Sequence, residues 1–346
     1  MIRQISTILA LISVSLGMTG CQLGYYTHLG KGQMQLLSKR EPILSVLEKS
    51  TTPPALQARL HLTQELLTFA EKQLLLPIDG QYSHYVELDR RYALWSLSAA
   101  PELSFTPYQW CYPILGCANY RGFFNHKRGE VAEHALQQQG YETQLRGVSA
   151  FSTLGWFADP VLSSFTPYPN DDYIELIFHE LAHAQLYIAN DTQFNESFAT
   201  FVGRQGLLQF KGQLKPNEVN RNQQPQQTAM QIQVKKFKKL VKKYKEKLDQ
   251  VYNAQDSDQV KRQAKTKIYL ALAQDYNREK KSWAYPTAYD YWIKSVNNAA
   301  LMVISDYESQ VPKFATLFKD CHQDWACFYQ AAQRLAMSLK KADVSH

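Results

Sequence analysis

Little in this chain of 346 residues points toward disorder, repetition or a membrane span. Charged residues make up 20% against 45% hydrophobic and 12% aromatic, so there is ample apolar surface to bury and a disordered chain is excluded. No internal repeat is evident, which speaks against a solenoid or propeller. None of the five cysteines falls in a C-x2-C pair, so a structural zinc knuckle is not expected. The one apolar run near the start, Ile5 to Leu16, is too short to cross a bilayer. A formal charge of +7 would raise nucleic acid as a partner, but the excess sits largely in one Lys-rich stretch and its meaning is local. The length suits one α-rich domain carrying a helical extension.

What is present begins with an export signal. Arg3 supplies a positive start, the apolar run follows, and Met18-Thr19-Gly20-Cys21 resembles a bacterial lipoprotein box in which the Cys21 thiol receives lipid. Residues 1–20 are therefore expected to be removed, and Gln22 after the cysteine suggests by the same resemblance the periplasmic face of the outer membrane. With Cys21 acylated, Cys111, Cys117, Cys321 and Cys327 remain, an even number in an oxidising compartment. Two local bridges of C-x5-C spacing are the simplest of the possible pairings.

Along the chain, a short helical candidate lies within 22–51, and Leu56, Leu60, Leu66, Leu67 and Leu74 take helical spacings up to Pro77. Strands are expected between Tyr82 and Trp95, a helix over Glu130 to Gln139 closed by Gly140, and an edge strand over Tyr141 to Phe151. Asn170-Asp171-Asp172 offers a cap and first-turn acids to a helix running to about Asn190-Asp191, followed by a second helix over about 192–210. The polar stretch 212–227 reads as a linker. Val234, Phe237, Val241, Tyr244, Leu248 and Val251 then alternate steps of three and four. Asp256-Ser257-Asp258 can turn the chain, with Val260, Ala264, Ile268 and Ala271 continuing the seam on a returning helix, which gives a hairpin over 228–283. The remainder, Tyr285 to Leu339, reads as helical, broken by Pro286 and Pro312.

The chemistry concentrates in His179-Glu180-Leu181-Ala182-His183. On a helix, positions i and i+4 share a face, so two imidazoles can meet one metal while the intervening carboxylate reaches a metal-bound water. A catalytic zinc wants three protein ligands and an open position, so one zinc per chain needs a further ligand downstream. Leu186 and Ala189 stand where a metzincin requires Gly and His, which excludes that class. Asn195-Glu196-Ser197-Phe198-Ala199 resembles the N-E-x-x-A element of gluzincins and nominates Glu196, with Asp191 and Glu175 as alternatives. Only 12 residues separate His183 from Glu196, so the connection must be tight. The tetrahedral oxyanion of peptide hydrolysis needs a donor; Tyr120 and Arg121, in a Gly-bounded aromatic segment, are the first candidates, beside a loop-packing role. Trp156 and Asp159 read as loop packing and a turn, or as cleft lining.

The run from His179 to Tyr187, the run from Asp191 to Ala199, Cys111 to Cys117 leading into Tyr120-Arg121-Gly122-Phe123-Phe124, and Gly155-Trp156-Phe157-Ala158-Asp159-Pro160 together resemble the bacterial Aminopep family over most of the mature chain. The resemblance implies a zinc peptidase-like protein, often a lipoprotein, with a predictive aminopeptidase label. The G-x-M-E-N element that binds the substrate amine in one large gluzincin aminopeptidase family is absent, so exopeptidase specificity does not follow from these residues. From Lys235 to Lys247 there are eight Lys and one Glu, a solvated face or a contact for anionic lipid or an envelope polymer. The expectation is an α+β, mostly α, zincin-like unit with a small sheet and an added long antiparallel helical hairpin, acting on peptides in the cell envelope. The competing expectation is a zinc-binding envelope lipoprotein that acts as a binding or scaffold module without turnover.

Overall fold

The computed structural model describes residues 23–112, 116–154, 156–213, 224–306 and 310–344. The expected signal segment and Cys21 lie outside the described residues, as does most of the expected 212–227 linker. The architecture is α+β and mostly helical with small sheets.

A first helix, α1 (23–38), precedes β1 (Glu41–Pro42), α2 (Ile43–Glu48) and α3 (Pro54–Lys72). Pro54 opens α3 at a position where its missing N–H costs nothing. The strands β2 (His84–Val86), β3 (Leu94–Pro101), β4 (Trp110–Tyr112), β5 (Gly116–Ala118) and β6 (Arg121–Phe123) follow, then α4 (His126–Gln138), β7 (Tyr141–Val148) and β8 (Val161–Leu162). Gly140 ends α4 at φ 86°, a left-handed conformation that favours glycine. The rest is helical: α5 (Asn170–Gln185), α6 (Thr192–Gln213), α7 (Gln224–Asn253), α8 (Asp258–Glu279), α9 (Asp290–Ser295), α10 (Asn298–Asp306), α11 (Val311–Asp320) and α12 (Trp325–Val344). Pro312 falls in the first turn of α11 and so starts a helix rather than breaking one.

Three small sheets form. β1, β2 and β8 make one, β4 and β5 a hairpin, and β3 is the centre of the third between β6 and β7, antiparallel to both. β7 is thus an edge strand, as its boundaries imply. The main core gathers around α5 and α6, where Phe178, Phe194, Phe198, Phe314 and Phe328 are fully buried. Burying rings of this size contributes about 2–3 kcal/mol each and fixes the two helices in the centre of the protein.

The expected hairpin is α7 and α8, closed by Ser257, whose side chain caps α8. Phe237, Val241, Tyr244 and Leu248 of the expected seam are buried, joined by Leu240 and Tyr252. On α8 the seam differs from expectation: Val260 is exposed, and Lys265, Leu272 and Tyr276 are buried. Ile268 and Ala271 of the expected seam still pack against the hairpin core, so the buried stripe is only partly displaced from the expected register. The Lys265 ammonium makes this tolerable, because it pairs with Glu142 and donates to the Glu102 carbonyl at 2.7 Å. Asn298 ties the same region together. Its amide donates to the carbonyls of Pro101, Glu102 and Ser104, and its side-chain oxygen accepts from Tyr252 and Tyr269 at 2.9 and 2.8 Å. In the Lys-rich stretch, Lys235, Lys236, Lys239 and Lys242 are exposed, while Lys243 pairs with Asp275 at 2.8 Å and Lys245 lies 4.5 Å over the Phe105 ring.

Candidate metal centre and cleft

The α5 helix starts after Pro169, with Asp171 and Asp172 in its first turn where the helix dipole favours acid. Asp171 also pairs with Lys211 of α6 at 2.8 Å, which fastens the two helices at that end. Tyr173, Ile174, Ile177, Phe178, Leu181 and Ala182 bury one side of α5, leaving His179, Glu180 and His183 to share the opposite turn. The two imidazole rings stand almost perpendicular, at 88°, with centroids 4.9 Å apart.

The helix ends at Gln185, earlier than the expected Asn190-Asp191, and Leu186 is already extended. Asn195 is the reason. Its side-chain oxygen accepts from the Ile188 amide and its NH2 donates to the Ile188 carbonyl, both at 2.8 Å, so it holds the connection in a non-helical form. Asn190 turns the chain at φ 72°, and Asp191 caps α6 by accepting from the Phe194 amide at 2.8 Å. Further along, Gly203 and Gly206 let the helices close: a Cβ at 203 would lie 2.7 Å from the Glu175 carbonyl oxygen, and one at 206 2.7 Å from the Phe178 ring. Glu196 is thereby carried back to the imidazole pair. The alternatives are otherwise engaged, Asp191 in its cap and Glu175 with Arg204 at 3.3 Å.

Donor atoms of His179, His183 and Glu196 all lie within 4.8 Å of one another. Glu196 Oε2 is 3.4 Å from His179 Nε2 and 3.9 Å from His183 Nε2. A tetrahedral shell with bonds of about 2.1 Å separates its ligands by about 3.4 Å, so the set fits zinc with small adjustments. Glu196 Oε2 is also buried without a hydrogen-bond partner among the described residues, an orphaned acceptor of the sort a cation satisfies. His183 Nδ1 is likewise unpartnered there.

Burial sets the protonation states. It pushes Glu180 up to about 7; His179 opposes this, while Glu196 and Asp159 add to it. Burial draws His183 down to about 4, against the pull of Glu196, so its imidazole is neutral as a ligand requires. For His179, burial works downward but the Glu196 carboxylate 3.4 Å away and the charges of Glu180 and Glu175 raise it overall. Glu196 is held low because the two histidines and Arg146 outweigh its burial.

Over this centre lies a cleft of about 210 Å³ whose roof is the sheet around β3. Strand alternation decides which residues face it: Leu94 and Ser96 from β3, Gly122 from β6, and Arg146 and Val148 from β7. Tyr120 reaches the cleft by the same rule, and so does Tyr187 from the connection after α5. Arg121 does not. One residue along the strand it points to the other face and stacks over the Tyr25 ring at 3.6 Å, which removes it as an oxyanion donor. Neither Trp156 nor Asp159 lines the cleft: Trp156 is exposed, and Asp159 is buried and accepts from the Thr153 amide and hydroxyl at 2.7 and 2.9 Å.

Both local disulfides form, Cys111–Cys117 across the β4–β5 hairpin and Cys321–Cys327 between α11 and α12, with Cα atoms 3.8 and 5.6 Å apart. The first bridge matters to the site, since the Cys117 amide donates to Asn190 Oδ1 at 2.6 Å and ties the hairpin to the α5–α6 turn. Arg146 and Tyr187 received no role from the sequence. A charged residue within a half-buried edge strand was the signal for Arg146, but its meaning needs the docked sheet.

A mostly helical α+β protein with a buried His-His-Glu group on two packed helices, able to hold a metal ion, is the class these features define. The chain belongs to the Aminopep family, described as "Putative aminopeptidase", whose model matches residues 24–344. No curated protein and no solved structure matches it.

Proposed function

We propose that this chain is a zinc-dependent peptidase with a zincin-like centre. The observation that carries the reading is the convergence of His179, His183 and Glu196 within 4.8 Å beside the buried Glu180 carboxyl. His179, His183 and Glu196 would hold the ion. The chemistry zinc supplies in such a site is Lewis acidity and a water acidified toward a pKa of about 7. Glu180 takes the proton of the attacking water on its carboxylate and passes it to the departing amine. Its elevated pKa suits both transfers near neutral pH. Tyr120 and Tyr187, which line the cleft, would donate to the oxyanion through their neutral hydroxyls.

Digesting a peptide library with the purified protein and mapping products by mass spectrometry tests this directly. Discrete hydrolysis products that vanish on chelation are expected. A zinc-loaded protein that cuts nothing would instead favour a binding module.

The lipoprotein box supports a second element of the reading, an anchor in the cell envelope through lipid on Cys21, with residues 21–346 as one peptidase domain carrying the α7–α8 hairpin. Cys21→Ser is expected to move the protein from the membrane to the soluble envelope fraction; continued membrane attachment would count against the anchor.

A further inference from the structure

Cleft chemistry is asymmetric in charge. Among the described residues lining it, the acids are Glu180 and Glu196, both committed to the proton transfer and the metal. Neither is spare for the ammonium group of a peptide with a free amino end. A spare cation is present instead. Arg146 projects from β7 into the cleft, forms no ion pair or side-chain hydrogen bond among the described residues, and has its Nε buried without a partner. It lies near enough to Glu196 to stabilise that carboxylate's charge.

A guanidinium in this position carries an unmet need. Its buried N–H loses water without gaining an acceptor, an arrangement that is unfavourable until an anion arrives. Glu196 does not fill the role: its Oε2 faces the two imidazoles, and it forms no ion pair with Arg146 among the described residues. The planar fork of arginine matches a carboxylate with two parallel hydrogen bonds, which a lone backbone carbonyl does not offer. The uncharged oxyanion donors, Tyr120 and Tyr187, leave Arg146 available for a formal charge.

We infer that Arg146 recognises a carboxylate of the substrate beside the scissile bond, so that the cleft selects peptides by an acidic group rather than by a free amine. The inference rests on the peptidase reading above. Two sources share this chemistry, the carboxylate at the peptide's carboxyl end and an Asp or Glu side chain.

The test uses the full mature chain carrying Glu180→Gln, loaded with zinc, so that binding is read without turnover. Four acetylated probes are titrated by calorimetry: acetyl-Ala-Ala-Phe as free acid and as amide, and acetyl-Ala-Glu-Ala amide with its Gln counterpart. In one pair the acid is expected to bind about tenfold to a hundredfold tighter than its neutral match, and the pair that responds identifies the source. Adding Arg146→Gln is expected to abolish that difference with zinc content unchanged. If that variant does not fold, Arg146→Lys keeps the charge without the fork and is expected to reduce the preference severalfold. Equal binding of acid and neutral probes, no binding of any probe, or a preference that survives Arg146→Gln would overturn the inference. Zinc loss on Arg146→Gln without any acid preference would assign Arg146 to holding Glu196 and would overturn it too. If library digestion succeeds while the probes fail, only the role of Arg146 falls; if digestion and zinc binding also fail, the peptidase reading falls with it.

Discussion

Replacing His179 and His183 together by alanine is expected to take the protein from about one zinc per chain to none detectable by elemental analysis. Each imidazole would supply one of three protein ligands, and a site left with one ligand holds zinc weakly. Both sit on α5 beside the cleft and outside the apolar core cluster, so the double change removes the imidazoles without emptying that core. Because zinc binds only the folded chain, at a hundred times its dissociation constant it should stabilise the wild type by about 2.7 kcal/mol, seen as a chelator-sensitive rise in melting temperature. The variant should show no such rise. Acid should release the metal, since ligands must shed protons to bind. His183, at about 4, is already neutral at pH 7; His179, raised by Glu196, is the first to compete. In the metal-free protein the sign reverses. The raised His179 contributes stability below its unfolded pKa and loses it as pH rises through its folded pKa, the direction in which zinc affinity grows. Retention of stoichiometric zinc by the double variant would remove the metal centre from this account.

Glu180→Gln should separate metal binding from turnover. Glutamine keeps the shape of the side chain but accepts no proton, so zinc content should hold while hydrolysis falls about a hundredfold to ten-thousandfold. The same change should stabilise the metal-free protein. Burial lifts Glu180 to about 7 from the ordinary 4.5, so ionising it in the folded state opposes folding by up to about 3 kcal/mol. That contribution is absent below its unfolded pKa and grows as pH rises through 7, so the gain should appear at pH 8 and shrink toward pH 4. Catalytic groups commonly hold such unfavourable positions. Full activity in the variant would exclude Glu180 as the base; activity lost without added stability at pH 8 would contradict its burial.

The H-E-x-x-H helix was legible because an i, i+4 relationship is local and the helix period alone brings both imidazoles to one face. Glu196 was legible through its resemblance to a known element, but the way it reaches the histidines was not. A tight return over 12 residues depends on α5 stopping at Gln185, which Asn195 imposes from the next helix, and on Gly203 and Gly206, which let α6 approach. Tyr120 and Arg121 are neighbours in sequence, yet strand alternation sends one into the cleft and the other onto Tyr25.

By itself, the sequence determined the local relationships: two histidines and a glutamate in one helical turn, a second glutamate after 12 intervening residues, and cysteines close enough to pair locally. These are relationships over a few residues, set by covalent spacing and helix geometry. Only the tertiary structure decided where α5 ends, which face of β6 and β7 looks at the His-His-Glu group, that Lys265 is buried against Glu142, and that Arg146 enters the cleft uncompensated. Each of those depends on which surfaces meet, and that choice belongs to the packing of the whole chain.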